Sequence, residues 1–277
     1  MKFAINYSPE AAALVRKGQI DLDYFKTPPW PDMITEAEVL RPITVHFNLK
    51  AGSLVEPDWA EIEHYLATTA TVYVNTHLGI GAKEMPHMPP HEAPDASQRQ
   101  EVLERLCAST QKLCNYYGPE RVIAENVPYR SNENTTSRAC AEPEVISQVV
   151  ETNGCGFLLD VSHARISAHY LGIEPHDYLE ALPVQQLREL HFTGIHNWDG
   201  YRMDHLSILE EDWPWLDWVL DKVKSGVWGE AQMLAFEYGG TGKFFERFSD
   251  PAVMAEQVPR LYAACHAREE TGKEVNT

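Results

Sequence analysis

The sequence predicts an α/β fold, a single (β/α)8 TIM barrel over residues 1–277, from three observations. The chain has 277 residues, and one such barrel typically takes about 250. Apolar β-prone runs alternate with segments of helical period, a pattern that indicates βαβ units and a parallel sheet. Neither G-x-G-x-x-G nor G-x-x-x-x-G-K-[ST] occurs, which disfavours the open nucleotide-binding sheet, the main alternative.

The candidate strands are short apolar segments separated by helical patterns. Eight such strands fit a closed barrel. They cover residues 3–7, 21–25, 44–48, 72–76, 121–126, 156–160, 187–192 and 233–237.

Two of the intervening helices have clear ends in the sequence. Residues 96–117 repeat apolar side chains at Val102, Leu106 and Leu113, and the pattern stops at Gly118-Pro119, a common helix end. The last helix begins at Asp250-Pro251, where Asp is a favourable N-cap and Pro suits the first helical position.

The composition excludes several classes of partner. Lys plus Arg is 23 and Asp plus Glu is 41, for a net charge of −18, and we see no basic patch of the kind that binds a phosphate backbone. No apolar run approaches the roughly 18 residues of a membrane span, and residues 1–6 do not resemble a secretory signal. We therefore expect a cytoplasmic protein that binds neither nucleic acid nor membrane.

Metal-type side chains lie at or just after the ends of the predicted strands. The carboxyl ends of barrel strands form one mouth, where active sites are built. Unpaired carboxylates there would cost on the order of several kcal/mol, so a convergent set needs cations between its members. Imidazole and carboxylate ligands suit Zn²⁺, Mn²⁺ or Fe. The predicted ligands are His46, His77, Glu125, Asp160, His163, His191, Asp204, His205 and Glu237.

Each of these residues, taken alone, has an ordinary structural interpretation. His46 alone would more often be a satisfied core or loop histidine, and Glu125 could be a buried ion-pair partner. Asp160-x-x-His163 could be a turn with a helix cap. Their recurrence at successive strand ends favours a metal site. His87 and His91, by contrast, are interpreted as loop residues.

Nearby polar residues are the candidate substrate contacts. Asn126 follows Glu125 and is suited to orienting that ligand. A guanidinium at Arg202 or Arg130 is suited to clamping a carboxylate or phosphate, although a salt bridge is the simpler interpretation of Arg130. The predicted substrate-binding set is Asn75, Asn126, Arg165 and Arg202.

The order of the predicted ligands resembles that of the xylose isomerase-like superfamily of metal-dependent barrels. Their spacing is similar to that in endonuclease IV, which holds three zinc ions with such a set. In that enzyme the late pair is D-x-H, whereas Asp204 and His205 are adjacent here, so the sequence leaves open which of the two binds.

Residues 157–194, FLLDVSHARISAHYLGIEPHDYLEALPVQQLRELHFTG, more closely resemble the multinuclear iron enzyme family that includes the methanobactin-biosynthesis oxidase. That family shows L-D-V-N-N and later E-I-H-x-A-G, and the likeness extends loosely to AENVPYR and Glu237. His163 stands where the family often has Asn, Tyr238 stands where it often has Asp, and residues 1–18 are not its usual start. The resemblance implies two or three metal ions, oxidative modification of a peptide or small molecule, and a possible partner protein.

Other reaction classes stay open at this stage. In a sugar isomerase or epimerase, one metal would be held by a quartet, and Glu125 and Glu237 would be the catalytic acid/base pair. In that case His46, His77 and His205 would contact sugar hydroxyls. A zinc phosphoester hydrolase and a non-catalytic metal- or partner-binding barrel are the remaining alternatives. The quartet is Glu125, Asp160, His191 and Glu237.

Overall fold

The computed structural model describes residues 1–81, 83–89, 91–131, 136–240 and 246–267. Within these residues nine strands form one sheet and two more form a separate hairpin. The strands are β1 (Lys2–Asn6), β2 (Tyr24–Thr27), β3 (Ile43–Val45), β4 (Lys50–Ala51), β5 (Val74–Leu78), β6 (Val122–Glu125), β7 (Gly156–Asp160), β8 (Leu187–Phe192), β9 (Gly194–Trp198), β10 (Tyr201–Leu206) and β11 (Met233–Phe236).

Helices separate successive strands of the sheet, except β3 and β4. The two predicted helices are confirmed: α4 covers residues 96–117 and begins with a capping box at Asp95 and Gln98. The side chain of Asp250 caps α9 by accepting from the backbone N–H of Ala252. The helices are α1 (Pro9–Arg16), α2 (Pro31–Glu38), α3 (Trp59–Thr68), α4 (Ala96–Tyr117), α5 (Pro143–Asn153), α6 (Val161–Leu171), α7 (Pro175–Glu180), α8 (Trp213–Lys224) and α9 (Pro251–His266).

The sheet runs in the order β3-β2-β1-β11-β8-β7-β6-β5-β4, and every neighbouring pair in it is parallel. Strands β6 and β7 are buried along their whole length, as expected where helices cover a parallel sheet. The α/β class and the parallel sheet are thus confirmed. The regular eight-stranded ladder that we predicted is not what forms, because the third strand is split into β3 and β4 at opposite ends of the sheet.

The split has a physical cause in the side chain of Asn75. Its Oδ1 accepts from the backbone N–H of Phe47 at 2.7 Å and its Nδ2 donates to the carbonyl of Phe47 at 3.0 Å. An amide side chain therefore bonds the chain between β3 and β4 to β5 where a backbone ladder would normally run. The predicted substrate contact of Asn75 would have to compete with these bonds.

The described residues contain no helix that is both long enough and apolar enough to cross a bilayer.

Candidate metal centre

Strand register places predicted ligands side by side at the carboxyl end of the sheet. His77 on β5 is opposite Glu125 on β6, and Asp160 on β7 is opposite His191 on β8. Neighbouring strands lie about 4.8 Å apart, and register partners on parallel strands project from the same face. The backbone pairing alone therefore brings these four side chains to the same edge.

The first group, which we name the first triad, is His46, His77 and Glu125. The Oε2 atom of Glu125 lies 3.4 Å from Nε2 of His46 and 3.3 Å from Nε2 of His77. His77 donates its Nδ1–H to the carbonyl of Leu49 at 2.9 Å, so its Nε2 lone pair faces the other two. This second hydrogen bond is typical of metal-ligating histidines.

Two features of the first triad indicate a missing cation. Glu125 Oε2 is buried and has no hydrogen-bond partner among the described residues. Burial, and then the charge of Lys26, holds the pKa of His46 well below its usual value, so its imidazole is neutral and can act as a ligand. A buried carboxylate oxygen between two imidazole nitrogens fits a divalent metal.

The second triad is His163, Asp204 and His205. The Nε2 atom of His163 lies 2.8 Å from Oδ2 of Asp204, and its Nδ1 donates to the carbonyl of Asn126 at 2.9 Å. His205 likewise donates its Nδ1–H to the carbonyl of Glu237 at 2.9 Å. Both imidazoles thus present Nε2 to the centre, as a metal ligand requires.

Adjacent residues of a regular strand point to opposite faces, so Asp204 and His205 should not both reach one site. The hairpin of β9 and β10 changes register between Met203 and Leu206, and His205 has a left-handed φ of 59°. This bulge turns both side chains toward His163. The adjacency that left the choice of ligand open is therefore compatible with both residues.

Between the triads lie His191 and Glu237. Nε2 of His191 is 2.8 Å from Oε1 of Glu189, and its Nδ1 is 3.2 Å from Oε1 of Glu237 and 3.8 Å from Oε1 of Glu125. His191 forms one candidate ligand group with His46 and Glu237 and another with Glu125 and Asp160. All nine predicted ligands therefore lie in one connected cluster.

Lys26 also lies in this cluster, and the sequence analysis missed it. Its ammonium bonds Glu237 Oε1 and lies 3.0 Å from Nε2 of His191. The strand that we predicted over residues 21–25 ended two residues too early, since β2 runs over Tyr24–Thr27. A lysine inside a buried strand is the signal that would have pointed to it.

Ionisation in the cluster is strongly perturbed. Burial raises the pKa of Asp160 to about 6. Burial would lower the pKa of His163, but Asp160, the hydrogen bond to Asp204 and Glu125 together raise it to about 10. Burial opposes ionisation of Glu237, yet His191 and Lys26 hold its pKa well below the usual value.

The remaining predicted contacts have other partners. Asn126 bonds the backbone N–H and C=O of Asp160, both at 2.9 Å, so the orientation of Glu125 by Asn126 stays a prediction. The guanidinium of Arg165 bonds Asp212 at 2.8 Å and lies over Trp215, away from the triads. Arg202 accepts through its carbonyl from Nε of Arg130, and its own Nε is buried without a hydrogen-bond partner in the described part of the chain.

Arg130 is part of the wall of the second triad. Its Nη2 lies 3.0 Å from Oδ1 of Asp204, and the two side chains are only 12% and 9% exposed. The pair is therefore buried, unlike the surface salt bridge that we had favoured.

Above the cluster is a cavity of about 220 Å³. Its floor includes Lys26, His46, His205 and Glu237, and Trp30 lies on its wall. The Trp30 side chain is 44% exposed. The cavity opens at the carboxyl end of the sheet, where substrates bind in barrels.

The fold has many solved relatives of low sequence identity. IOLI protein with a bound zinc atom matches with a TM-score of 0.57 and 14% identity over 95% of this chain and 97% of that one. D-psicose 3-epimerase from Clostridium cellulolyticum H10 matches with a TM-score of 0.53 and 14% identity over 96% and 97%. An AP endonuclease of family 2 from Brucella melitensis gives 0.53 and 16% over 93% and 98%. These likenesses show that the chain shares the fold of these proteins.

Sequence comparisons identify closer relatives. A UPF0276 protein of Caulobacter vibrioides is 27% identical over 165 residues, or 56% of this chain and 55% of the relative. A UPF0276 protein of Chromobacterium violaceum is 25% identical over 182 residues, or 63% of each. The chain thus spans a little over half the length of the first of these relatives.

The family model of the RiPP precursor modification enzymes MbnB/TglH/ChrH matches residues 25–246. Because that match covers most of the sequence, the chain belongs to the MbnB/TglH/ChrH family.

Proposed function

We propose that this protein is a metal-dependent enzyme that oxidatively modifies a peptide, with iron held by the two triads. The observation that carries the proposal is Glu125 Oε2, a buried oxygen without a hydrogen-bond partner among the described residues, aimed at His46 and His77. Such an atom is costly to bury unless a cation binds it. Membership of a family of RiPP precursor modification enzymes favours a peptide as the substrate.

The donor set is compatible with iron. Imidazole nitrogen and carboxylate oxygen suit iron, zinc and manganese, and the cluster contains no thiolate among its described members. When bound, such ions supply Lewis acidity and, in the case of iron, the capacity to activate O₂. Glu125 is shared by two candidate ligand groups, the first triad and a group with Asp160 and His191.

The small volume of the cavity favours a single peptide side chain over a whole drug-sized ligand. Its volume of about 220 Å³ is below the roughly 300–1,000 Å³ of sites for drug-sized molecules. In this proposal one side chain of the peptide enters, while the peptide backbone lies across the mouth beside Trp30. Entry of that side chain excludes water from His46, His205 and Glu237.

Glu237 is the carboxylate that such a substrate can reach. It lines the cavity, and its Oε1 is held by Lys26, while Oε2 lies 3.9 Å from Nε2 of His205. We assign to Oε2 of Glu237 the acceptance of a hydrogen bond from the substrate, because its low pKa keeps the carboxylate ionised.

The test is co-expression with candidate short precursor peptides, with and without a candidate partner protein. Mass spectrometry should show a change in the mass of one peptide with the wild-type protein, and none with Glu125→Gln. The change should require both iron and O₂ in the purified system. A modification that proceeds with zinc in the absence of O₂ would contradict the oxidative assignment.

A sugar isomerase or epimerase is the second candidate, because its expected quartet also converges. Glu125, Asp160 and His191 form one of the candidate ligand groups, and Glu237 adjoins them. The ammonium of Lys26 bonded to Glu237 argues against a metal at that carboxylate. Interconversion of ketoses by protein carrying a single Mn²⁺ would favour this candidate.

A further inference from the structure

Lys26 places a cation of the chain itself inside the cluster of metal-type side chains. Its side chain is 3% exposed and pairs with Glu237, whose side chain is 8% exposed. Its Nζ also lies 3.0 Å from Nε2 and 3.4 Å from Nδ1 of His191. A lysine this deeply buried needs such a partner, since an unpaired buried ammonium is strongly unfavourable.

The same atoms would be needed by a metal ion. His46, His191 and Glu237 form one of the candidate ligand groups, and Nδ1 of His191 lies 3.2 Å from Oε1 of Glu237. A metal bound to both atoms would sit about 2.0–2.2 Å from each, beside the ammonium that already bonds that oxygen. Two cations at this separation in a buried site repel each other strongly.

We propose that the ammonium of Lys26 takes the place of one metal ion, so that the centre binds two divalent ions, one in each triad. This inference rests on the proposed metal centre. In this arrangement His191 and Glu237 bind the ammonium of Lys26. The first triad and the second triad are the metal sites.

Lys26 lies between two cavities, and this position supports a structural role for its ammonium in the centre. It lines the mouth cavity and also a cavity of about 80 Å³ inside the barrel, which reaches Glu189 and Gln232. Removal of the side chain would join the two spaces. In the competing arrangement, the Lys26 side chain points into the inner cavity toward Glu189, and a third metal binds between His191 and Glu237.

The experiment counts metal atoms per chain after loading with Zn²⁺ alone and removal of free metal, measured by inductively coupled plasma mass spectrometry. The wild type should hold two zinc ions. Lys26→Glu replaces the ammonium with a further carboxylate ligand and should hold a third. Lys50→Glu is the matched control, because Lys50 lies on β4 outside the ligand groups, and the same change of charge there should leave the count at two.

The outcomes separate this inference from the proposed function. Three zinc ions in the wild type would overturn the role of Lys26 but leave the metal centre intact, whereas no bound metal would overturn both. If Lys26→Glu does not fold, Lys26→Ala provides the second test, since His191 and Glu237 remain as ligands. A count in Lys26→Ala that does not rise above that of the wild type would also overturn the proposal.

Discussion

The two triads differ in how their carboxylate oxygens are paired. In the first, Nε2 of His46 lies 3.1 Å from Nε2 of His77, and Glu125 Oε2 has no hydrogen-bond partner in the described ranges. In the second, Asp204 is bonded by His163 at 2.8 Å and by Arg130 at 3.0 Å. The contrast shows that two sites with similar ligand types can differ in how many hydrogen bonds must break before a metal binds.

The two triads also differ in the protonation of their histidines. Burial lowers the pKa of His46, so the first triad has no proton on that histidine to release near neutral pH. The neighbouring carboxylates raise the pKa of His163 to about 10 despite its burial, so the second triad must release a proton to bind. We therefore expect the first triad to bind metal more tightly at neutral pH.

The largest expected effect is that of Glu125→Gln, because Glu125 belongs to the first triad and also to a candidate ligand group with Asp160 and His191. Even changes in outer partners of a metal ligand reduce affinity about 10–100-fold, so loss of the ligand itself should reduce zinc affinity at the first triad by about 100-fold or more. Isothermal titration calorimetry measures this affinity. Glu120→Gln, a change at an exposed residue just before β6, is the control, and equal losses in both variants would contradict the assignment.

The next prediction concerns variants that each remove one ligand, His77→Asn in the first triad and His205→Asn in the second. Each should remove one zinc ion per chain, because each deletes one of three protein ligands. The ion left in His77→Asn should be the weaker one at neutral pH. If both variants retain ions of equal affinity, the distinction between the triads fails.

The pH dependence sharpens the same comparison. Zinc affinity of the second triad should rise about tenfold per pH unit above neutrality, because His163 releases one proton on binding and its pKa is about 10. The affinity of the first triad should be nearly constant over this range. A competition titration with a chromophoric chelator between about pH 6.5 and 9 resolves the two.

The metal-free protein should respond in the opposite sense. The pKa of His163 is raised on folding, so its stabilising contribution is complete below the unfolded value of about 6.5 and is lost as the pH rises toward about 10. The melting temperature of chelator-treated protein should therefore fall over this interval, and His163→Asn should flatten the curve. A melting temperature that rises with pH would contradict the assigned pKa.

The smallest expected effect is that of Asn126→Ala. The change leaves the buried N–H and C=O of Asp160 without their partner, which costs about 1–3 kcal/mol. Thermal unfolding should show it as a loss of roughly 2–4 °C per kcal/mol. Asn115→Ala, on the exposed face of α4, is the control and should change little.

Much of the site could be predicted because barrel geometry converts strand order into proximity. Once His77, Glu125 and Asp160 are assigned to strand ends, the parallel register places them at one edge. The tautomers could not be predicted, since they depend on carbonyls such as that of Leu49. Lys26 was missed because the predicted strand ended two residues before the end of β2 and so left this side chain outside it.

The sequence by itself determined the α/β class, the parallel order of strands and the set of candidate ligands, because hydrophobic period and strand-end chemistry are local properties. Only the tertiary structure decided how those ligands divide into two triads. It also decided that a bulge at His205 lets adjacent residues share a site, and that Lys26 reaches Glu237 across 211 positions of sequence. Such contacts depend on the register and burial of distant segments, which no local pattern encodes.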